Sequence, residues 1–416
     1  MSAPVVDPTQ HRTALDRAPA GDSLGAYAAR WWAEVRSGEL GSLPIFVGMV
    51  IIVVVFQSQN ANFLTAGNFL NLVIQAAGIM TIAMGVVFVL LLGEIDLSVG
   101  YVSGVGGAIV ALLTLPGGDW ELAGLPAVIV VLIVGLGIGA LNGLLFTKIG
   151  IPSFVVTLAG LLAWNGAVLL IIGDKGTVII QSRLIIDLAN GFISATASYV
   201  LVAVAVAGHA AAQLARDRAR RGAELPAAPP SLIVLRVVAL AAALAAAAWV
   251  ANQDRGVPYV VLMLAGLYVL WTWVLNRSRF GRHVYAIGGN IEAARRAGIP
   301  VDTVRIACFA LCSMMATLGG VVLASRLTSV DTGAGGGTIL LYSIAAAVIG
   351  GTSLFGGRGS IKAAVLGAIV IASIDNGLGL LGLAAGTKFI ITGLVLLAAV
   401  TVDSLARRNL AGAGRA

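Results

Sequence analysis

The residues of this chain best able to do chemistry are acids and amides at the edges of long apolar runs or inside them. Glu94 and Asp96 stand in GEIDLSVG (93–100), between two such runs. They form either a tight polar turn whose carboxylates stay in water or an unwound helix end that faces a cavity. Asp375 and Asn376 lie inside a run, where a lone carboxylate is costly in lipid unless it faces a cavity or a partner. We therefore prefer to interpret Asp375 as functional or pore-lining, with structural pairing as the alternative.

Further polar side chains lie where apolar runs begin or end. Ser153 and Thr157 in GIPSFVVTLAG (150–160) share one helix face, from which they could bind a polar solute or bond to their own helix backbone. Asn142 directly precedes the last member of a row of glycines spaced four apart, for which close helix packing is the preferred interpretation. The glycine row comprises Gly135, Gly139 and Gly143. The candidate residues of a translocation path are Asp96, Ser98, Asn142, Ser153, Thr157, Asp375 and Asn376.

The sequence carries no pattern typical of catalysis or metal binding. It has no G-x-x-x-x-G-K-[ST] phosphate loop and no H-E-x-x-H, G-x-S-x-G or C-x-x-C pattern. Cys308 and Cys312 lie four apart in one apolar run, and His11, His209 and His283 are scattered, so neither a disulfide framework nor a metal site is indicated. We expect no catalytic residues, no enzyme activity, no metal and no cofactor.

The elements that must position these residues are membrane helices. Hydrophobic residues make up 59% of the chain and charged residues 11%, with a mean hydropathy of +0.98, which is typical of polytopic membrane proteins. The net charge of +7 is therefore interpreted as setting membrane orientation and not as binding nucleic acid.

Apolar runs of roughly 17–25 residues, the length that crosses the hydrocarbon core, predict an all-α transmembrane helical bundle. About twelve spans are predicted, and ten spans also fit. If the N-terminus is cytoplasmic, most of the 26 basic residues fall in inner segments, so we expect both termini in the cytoplasm. The runs lie at about 44–60, 69–92, 98–115, 123–147, 152–172, 197–215, 232–251, 257–275, 303–324, 337–351, 361–381 and 386–402.

The predicted organisation has three parts. Residues 1–43 form a cytoplasmic N-terminal tail, within which 24–39 could form an interfacial helix. The transmembrane domain covers 44–402, and the loop 216–230 is interpreted as a polar cytoplasmic linker between two halves. Residues 403–416 form a cytoplasmic C-terminal tail.

A weak internal repeat joins two of the glycine-rich turns. GEIDLSVG (93–100) and GGTSLFGG (350–357) share the pattern GxxxLxxG, and each lies between two apolar runs at a predicted inner boundary. Transporters are often built from repeats, with glycine-broken helices near the substrate path.

A short charged insert, GGNIEAARRAGIP, occupies 288–300. Asn290 is a good N-cap, Glu292 suits the positive end of a helix, and Gly298 is a plausible stop. The resulting two-turn helix would lie on the cytoplasmic side and expose Ile291. Since so short a helix is marginal in water, docking to a cytoplasmic partner is preferred over a helix lying on the membrane surface.

Several stretches together resemble the membrane-spanning permease subunits of ABC importers for monosaccharides, the ribose and xylose type. They appear in the family's order and cover most of the chain from about residue 65 to 400. The matching stretches are GEIDLSVG at 93–100, GIPSFVVTLAG at 150–160, GGNIEAARRAGI at 288–299, VIGGTSLFGGRGS at 348–360 and DNGLGLLGL at 375–383.

The resemblance implies a type II ABC importer fold, in which the insert at 288–299 is the coupling helix held in a groove of a cytoplasmic ATPase subunit. It implies that ATP is bound by that separate subunit and that an extracytoplasmic sugar-binding protein delivers the substrate. It also implies a homodimer of the permease in membrane lipid, with the path at the subunit interface. The coupling-helix residues are Asn290, Ile291, Glu292, Ala293, Ala294, Arg295 and Gly298.

This chain departs from the family pattern at single positions and in length. The family often has a glycine where Glu94 stands, a proline where Ile291 stands and an asparagine where Asp375 stands. The added stretch at about 197–251 is similar to longer, xylose-type members, which makes xylose or a similar pentose the expected substrate.

Two alternatives stay open. One is a twelve-span secondary transporter of the facilitator type, although its usual GxxxDRxGRR motif between spans two and three is replaced here by GEIDLSVG. The other is an ABC permease for another small polar solute.

Overall fold

Long apolar helices dominate the structure, a computed structural model that describes residues 43–118, 120–223 and 229–394 and positions 25, 32, 397 and 401. The predicted interfacial helix at 24–39 lies outside the described residues except for Gly25 and Trp32, both of which are helical. The C-terminal tail 403–416 also lies outside them.

The first half of the chain contains eight α-helices and two short strands among its described residues. A π-helical turn (Leu145–Ile149) continues the helix Gly124–Leu144, and a 3-10 turn (Gly173–Lys175) follows the helix Ser153–Ile172. The helices are α1 (Leu43–Gln59), α2 (Ala66–Leu91), α3 (Val99–Leu113), α4 (Gly124–Leu144), α5 (Ser153–Ile172), α6 (Arg183–Asn190), α7 (Ala195–Gly222) and α8 (Pro230–Asn252); the strands are β1 (Thr177–Ile179) and β2 (Phe192–Ile193).

The second half continues the same pattern. Strand β1 pairs antiparallel with the strand Ser329–Asp331, and β2 pairs antiparallel with the strand Val257–Pro258. The helices are α9 (Tyr259–Arg277), α10 (Arg279–Gly289), α11 (Ile291–Arg296), α12 (Val301–Leu327), α13 (Ile339–Ile349), α14 (Ile361–Leu380) and α15 (385–394); the strands are β3 (Val257–Pro258) and β4 (Ser329–Asp331).

The prediction of an all-α polytopic bundle is confirmed. Each of the twelve predicted apolar runs coincides with a helix, although only part of the last run is described. Among the described residues, eight helices are long and apolar enough to cross a membrane, while α1, α3 and α13 are shorter apolar helices. The count of twelve crossings therefore stays a prediction.

The described residues divide into two compact units. The hairpin unit consists of 194–223 and 229–256, where α7 and α8 pack against each other and Asn252 Nδ2 donates to Ser198 Oγ at 2.8 Å. The main unit consists of 45–193 and 257–394 and holds all the candidate site residues.

The predicted linker at 216–230 is shorter in the structure, because α7 continues to Gly222. Its last turns carry an i,i+4 ion pair between Arg221 Nε and Asp217 Oδ2 at 2.7 Å. Arg220 and Arg221 also lie at the negative end of the helix dipole. Residues 224–228 of the predicted linker lie outside the described residues.

Helix α12 lies at the centre of the main unit, packed against α2, α3 and α4. The α4 glycine row faces it: a Cβ atom on Gly143 would lie 2.7 Å from Ile306 Cα, too close for a side chain. The packing interpretation of this row is therefore confirmed, and it brings Asn142 into the interior, where 3% of the residue is exposed.

Candidate functional site

The insert at 288–300 folds as the short capped helix that its sequence predicts. The Asn290 side-chain oxygen accepts from the Ala293 N–H at 2.9 Å, which caps α11. At the other end, Gly298 has a φ of +77° and Ile299 N donates to Ala294 O at 3.1 Å, so the helix ends in a left-handed turn that favours glycine.

One face of α11 is anchored and the other carries charge. Ala294 is buried, and Ile291 is half-buried against the main core, so the expectation that Ile291 is exposed is wrong. The reason is helical periodicity, since positions three apart share a face and this apolar pair packs inward. Glu292, Arg295 and Arg296 are exposed on the surface.

The segment before α11 packs against the end of α2 and against the 350–357 turn. A Cβ on Gly288, at the end of α10, would clash with Leu91 O and lie 2.6 Å from Gly357 N. Gly357 N itself donates to Leu91 O at 2.9 Å. Tyr285 OH donates to Gly359 O at 2.9 Å, and burial raises the pKa of this phenol. A Cβ on Gly93 would lie 3.2 Å from Phe355 O, so the 93–100 and 350–357 turns also meet beside the insert at 288–300.

Glu94, in the 93–100 turn, forms an ion pair with Arg305, near the start of α12. Arg305 Nη2 lies 3.3 Å from Glu94 Oε1, and their side chains are 13% and 18% exposed. Ser153 Oγ donates to the second carboxylate oxygen, Glu94 Oε2, at 2.6 Å. The Arg305 guanidinium also lies over the Phe146 ring, 4.7 Å from its centroid. The pair thus joins the 93–100 turn to α5 and α12.

Asp96 is buried in the same turn, at 3% exposure, so the interpretation that its carboxylate stays in water is wrong. Asp96 Oδ1 accepts from Ser98 N at 2.9 Å and from Ser98 Oγ at 2.6 Å. Burial raises the pKa of Asp96, and these two hydrogen bonds oppose that shift. Asn142 Nδ2 donates to Ser98 Oγ at 3.2 Å, which links the turn to α4.

Thr157 adopts the backbone alternative that its sequence left open. Its Oγ1 donates to Ser153 O at 2.9 Å, one turn earlier in α5. Five of the seven candidate path residues are therefore close together. We call the whole group the Glu94 cluster: Glu94, Asp96, Ser98, Asn142, Ser153, Thr157 and Arg305.

Asp375 and Asn376 lie elsewhere, near the first turn of α2, and point to different neighbours. Asn68 Nδ2 donates to Asn376 Oδ1 at 2.9 Å, and Asn376 Nδ2 donates to Asn68 Oδ1 at 3.0 Å. We call Asn68 and Asn376 the amide pair. Asp375 is half-buried, and its Oδ1 accepts from Tyr342 OH at a long 3.4 Å.

Sequence reasoning missed two members of these sites, Arg305 and Asn68. From the sequence, Arg305 is one of 26 basic residues and carries no mark of its own, although it lies in the first turns of α12. A charge so close to an apolar run needs a partner, and this signal could have identified it. Asn68 lies at the start of a predicted span, and no local pattern connects it with Asn376.

Comparison with known proteins agrees with this architecture. The family model described as "Branched-chain amino acid transport system / permease component" matches residues 68–400. The xylose transport system permease protein XylH of Escherichia coli K12 is 38% identical over 374 residues, covering 88% of this chain and 93% of that protein. XylH of Haemophilus influenzae is 34% identical, covering 91% of this chain and all of that protein.

A third relative is the ribose import permease protein RbsC of Bacillus subtilis, 32% identical over 88% of this chain and 94% of its own length. No solved structure matches the chain. The resemblance to monosaccharide importer permeases is confirmed by these relatives. This multi-pass membrane chain belongs to the family of permease components of branched-chain amino acid transport systems.

Proposed function

We propose that this chain is the membrane-spanning subunit of an ATP-driven importer that carries xylose or a similar pentose. The observation that carries the proposal is 38% identity, over 88% of the chain, to a permease whose name assigns it to xylose transport. ATP hydrolysis is assigned to a separate cytoplasmic subunit, and delivery of the sugar to an extracytoplasmic binding protein. Two copies of the permease, each with both termini in the cytoplasm, complete the proposed assembly.

The shape of α11 supports the docking part of the proposal. A six-residue helix alone in water is unstable, yet this one is capped at both ends and held by Ala294 and Ile291. Its charged face remains available to a partner. The Glu292–Arg295 pair, at 3.3 Å with side chains 69% and 51% exposed, contributes little to stability. These charges are therefore better suited to recognition than to folding.

Transport in a defined membrane tests the function. The chain, co-expressed with an ABC ATPase and a sugar-binding protein from the same organism, would be reconstituted into vesicles with ATP on the ATPase side. We expect uptake of labelled xylose that requires both ATP and the binding protein. Uptake driven by a proton gradient without ATP would instead identify a secondary transporter. ATP-dependent uptake of another solute in place of pentoses would correct the substrate alone.

A charge reversal on α11 tests the docking surface. Glu292→Lys should reduce co-purification of the ATPase at least about tenfold, because interface charge reversal costs more than about 1.4 kcal/mol. Membrane insertion should stay normal. Asp174→Lys, the same reversal on an exposed acid in the turn after α5, is the matched control. Unchanged co-purification of the Glu292 variant would count against docking at α11.

A further inference from the structure

We infer that the Glu94–Arg305 ion pair is a positioning element that passes movement of α11 to the 93–100 turn. The inference rests on the proposed function, because it requires that an ATPase moves α11. Neither residue is assigned a contact with the sugar. Their role is to keep the turn, with Asp96 and Ser98, moving together with α12.

The first step of this path is short and stiff. Helix α11 ends at Arg296, and α12 begins at Val301, so Arg305 lies in the second turn of the helix that α11 leads into. The connection between them is fixed by the Ile299 N to Ala294 O bond and by packing of Ile299 against the core. Displacement of α11 therefore reaches Arg305 without a flexible loop in between.

The second step crosses from α12 to the turn. Glu94 is fixed by two partners, because Arg305 contacts Oε1 and Ser153 donates to Oε2. Charge-assisted hydrogen bonds are roughly twice as strong as neutral ones. Beyond Glu94, Asp96 binds Ser98 through two hydrogen bonds, and Ser98 accepts from Asn142. Glu94 and Asp96 are separated only by Ile95, so a shift of Arg305 acts on Glu94 directly and on the second group through the backbone of the turn.

A second ion pair on α12 provides a matched control. Lys148 Nζ lies 2.9 Å from Asp302 Oδ2. Asp302 lies on α12, one turn before Arg305, and Lys148 lies in the π-helical turn after α4, so this ion pair also joins two helical segments. Its side chains are 60% and 38% exposed, so water and salt screen it. Burial and fixed partners distinguish the Glu94–Arg305 pair, although the two pairs contain the same charges.

The test measures sugar imported per ATP hydrolysed in the reconstituted complex with its ATPase and binding protein. In Glu94→Gln we expect this ratio to fall about tenfold, within the usual range of coupling between sites. Lys148→Gln should leave the ratio unchanged. Because the ratio is taken per assembled complex, lower yield alone does not mimic the effect.

Exchange of the charges separates the ion pair from either side chain alone. Glu94→Arg combined with Arg305→Glu should recover most of the ratio, since the Ser153 hydroxyl can either donate or accept. Glu94→Asp, which keeps the charge on a shorter side chain, should give an intermediate ratio and serves as the test if the other variants do not assemble.

The outcomes distinguish this inference from the proposed function. A wild-type ratio in Glu94→Gln, or an equal fall in Lys148→Gln, overturns the role of the ion pair while the importer function stands. No ATP-dependent uptake by the wild-type chain would overturn the proposed function itself.

Discussion

The two ends of α2 carry polar bridges of different kinds. At the Leu91 end, the Glu94 cluster joins the 93–100 turn to other helices through an ion pair and charge-assisted hydrogen bonds. At the Ala66 end, the amide pair joins α2 to α14 through two hydrogen bonds between neutral groups. At about 1.5 Å per helical residue, the 26 residues of α2 place its two ends roughly 38 Å apart.

This difference indicates different demands on the two ends. A charged bridge is strong but vulnerable, because removal of one partner leaves the other charge buried and unpaired. In an amide pair, each side chain supplies the hydrogen-bond donor and acceptor that the other needs. When the two amides separate, either one can bond to water or to another neighbour. In the proposed importer, the charged bridge therefore suits the end beside α11, where force from the ATPase would arrive, and the neutral bridge would suit an end that opens to an uncharged sugar.

The largest expected effect comes from removing the cation of the charged bridge. Arg305→Ala leaves the Glu94 carboxylate, 18% exposed, without its counter-charge, and we expect about 3 kcal/mol of destabilisation. A thermal melt of the purified protein in detergent should show a clearly lowered midpoint.

The companion variants define how that melt is interpreted. Arg305→Lys keeps the positive charge and should lower the melt midpoint less than Arg305→Ala does, although it loses the planar contact with Phe146. Lys148→Ala removes the cation of the exposed ion pair with Asp302, which lies on the same helix as Arg305, and should leave the midpoint almost unchanged. If Arg305→Ala melts like the wild type, the contrast between the two ends of α2 is wrong.

The sequence predicts the local parts of these sites well. The capped helix at 290–298 follows from Asn290, Glu292 and Gly298, because each of them acts on backbone within a few residues. Membrane helices follow from apolar runs, since span length is set by the bilayer. The inward face of the α4 glycine row follows from its spacing.

What the sequence could not predict is pairing over long distances. Glu94 and Arg305 are separated by 211 positions and Asn68 and Asn376 by 308, and neither pair has a periodic signal. Only the packing of α12 and α14 against α2 decides these partners. The burial of Ile291 was missed for a related reason: the core that covers it is built from distant helices.

A smaller effect is expected from breaking the neutral bridge. Asn376→Ala should cost about 1 kcal/mol, because Asn68 Nδ2 also donates to Phe63 O at 2.8 Å and so keeps a partner. The melt midpoint should fall by less than in Arg305→Ala. In a double-mutant cycle, the two variants together should lose less than the sum of their separate losses, because both remove the amide pair, while Asn68→Ala also removes the bond to Phe63 O. A loss equal to that of Arg305→Ala would remove the distinction between charged and neutral bridges.

The smallest effect is expected at Asp375, which directly precedes Asn376 of the amide pair. Its hydrogen bond from Tyr342 OH is long, at 3.4 Å, and the residue is only half-buried. An amide oxygen at this position could accept the same bond, so Asp375→Asn should change xylose uptake by no more than about twofold, a fraction of 1 kcal/mol.

Uptake would be measured in vesicles at matched protein level and ATPase assembly, with Asp375→Leu as the variant that removes the acceptor. Complete loss of uptake in Asp375→Asn would show that the charge itself is needed. The Ala66 end of α2 would then also depend on an ionised side chain, and the two ends would differ in which charge each requires.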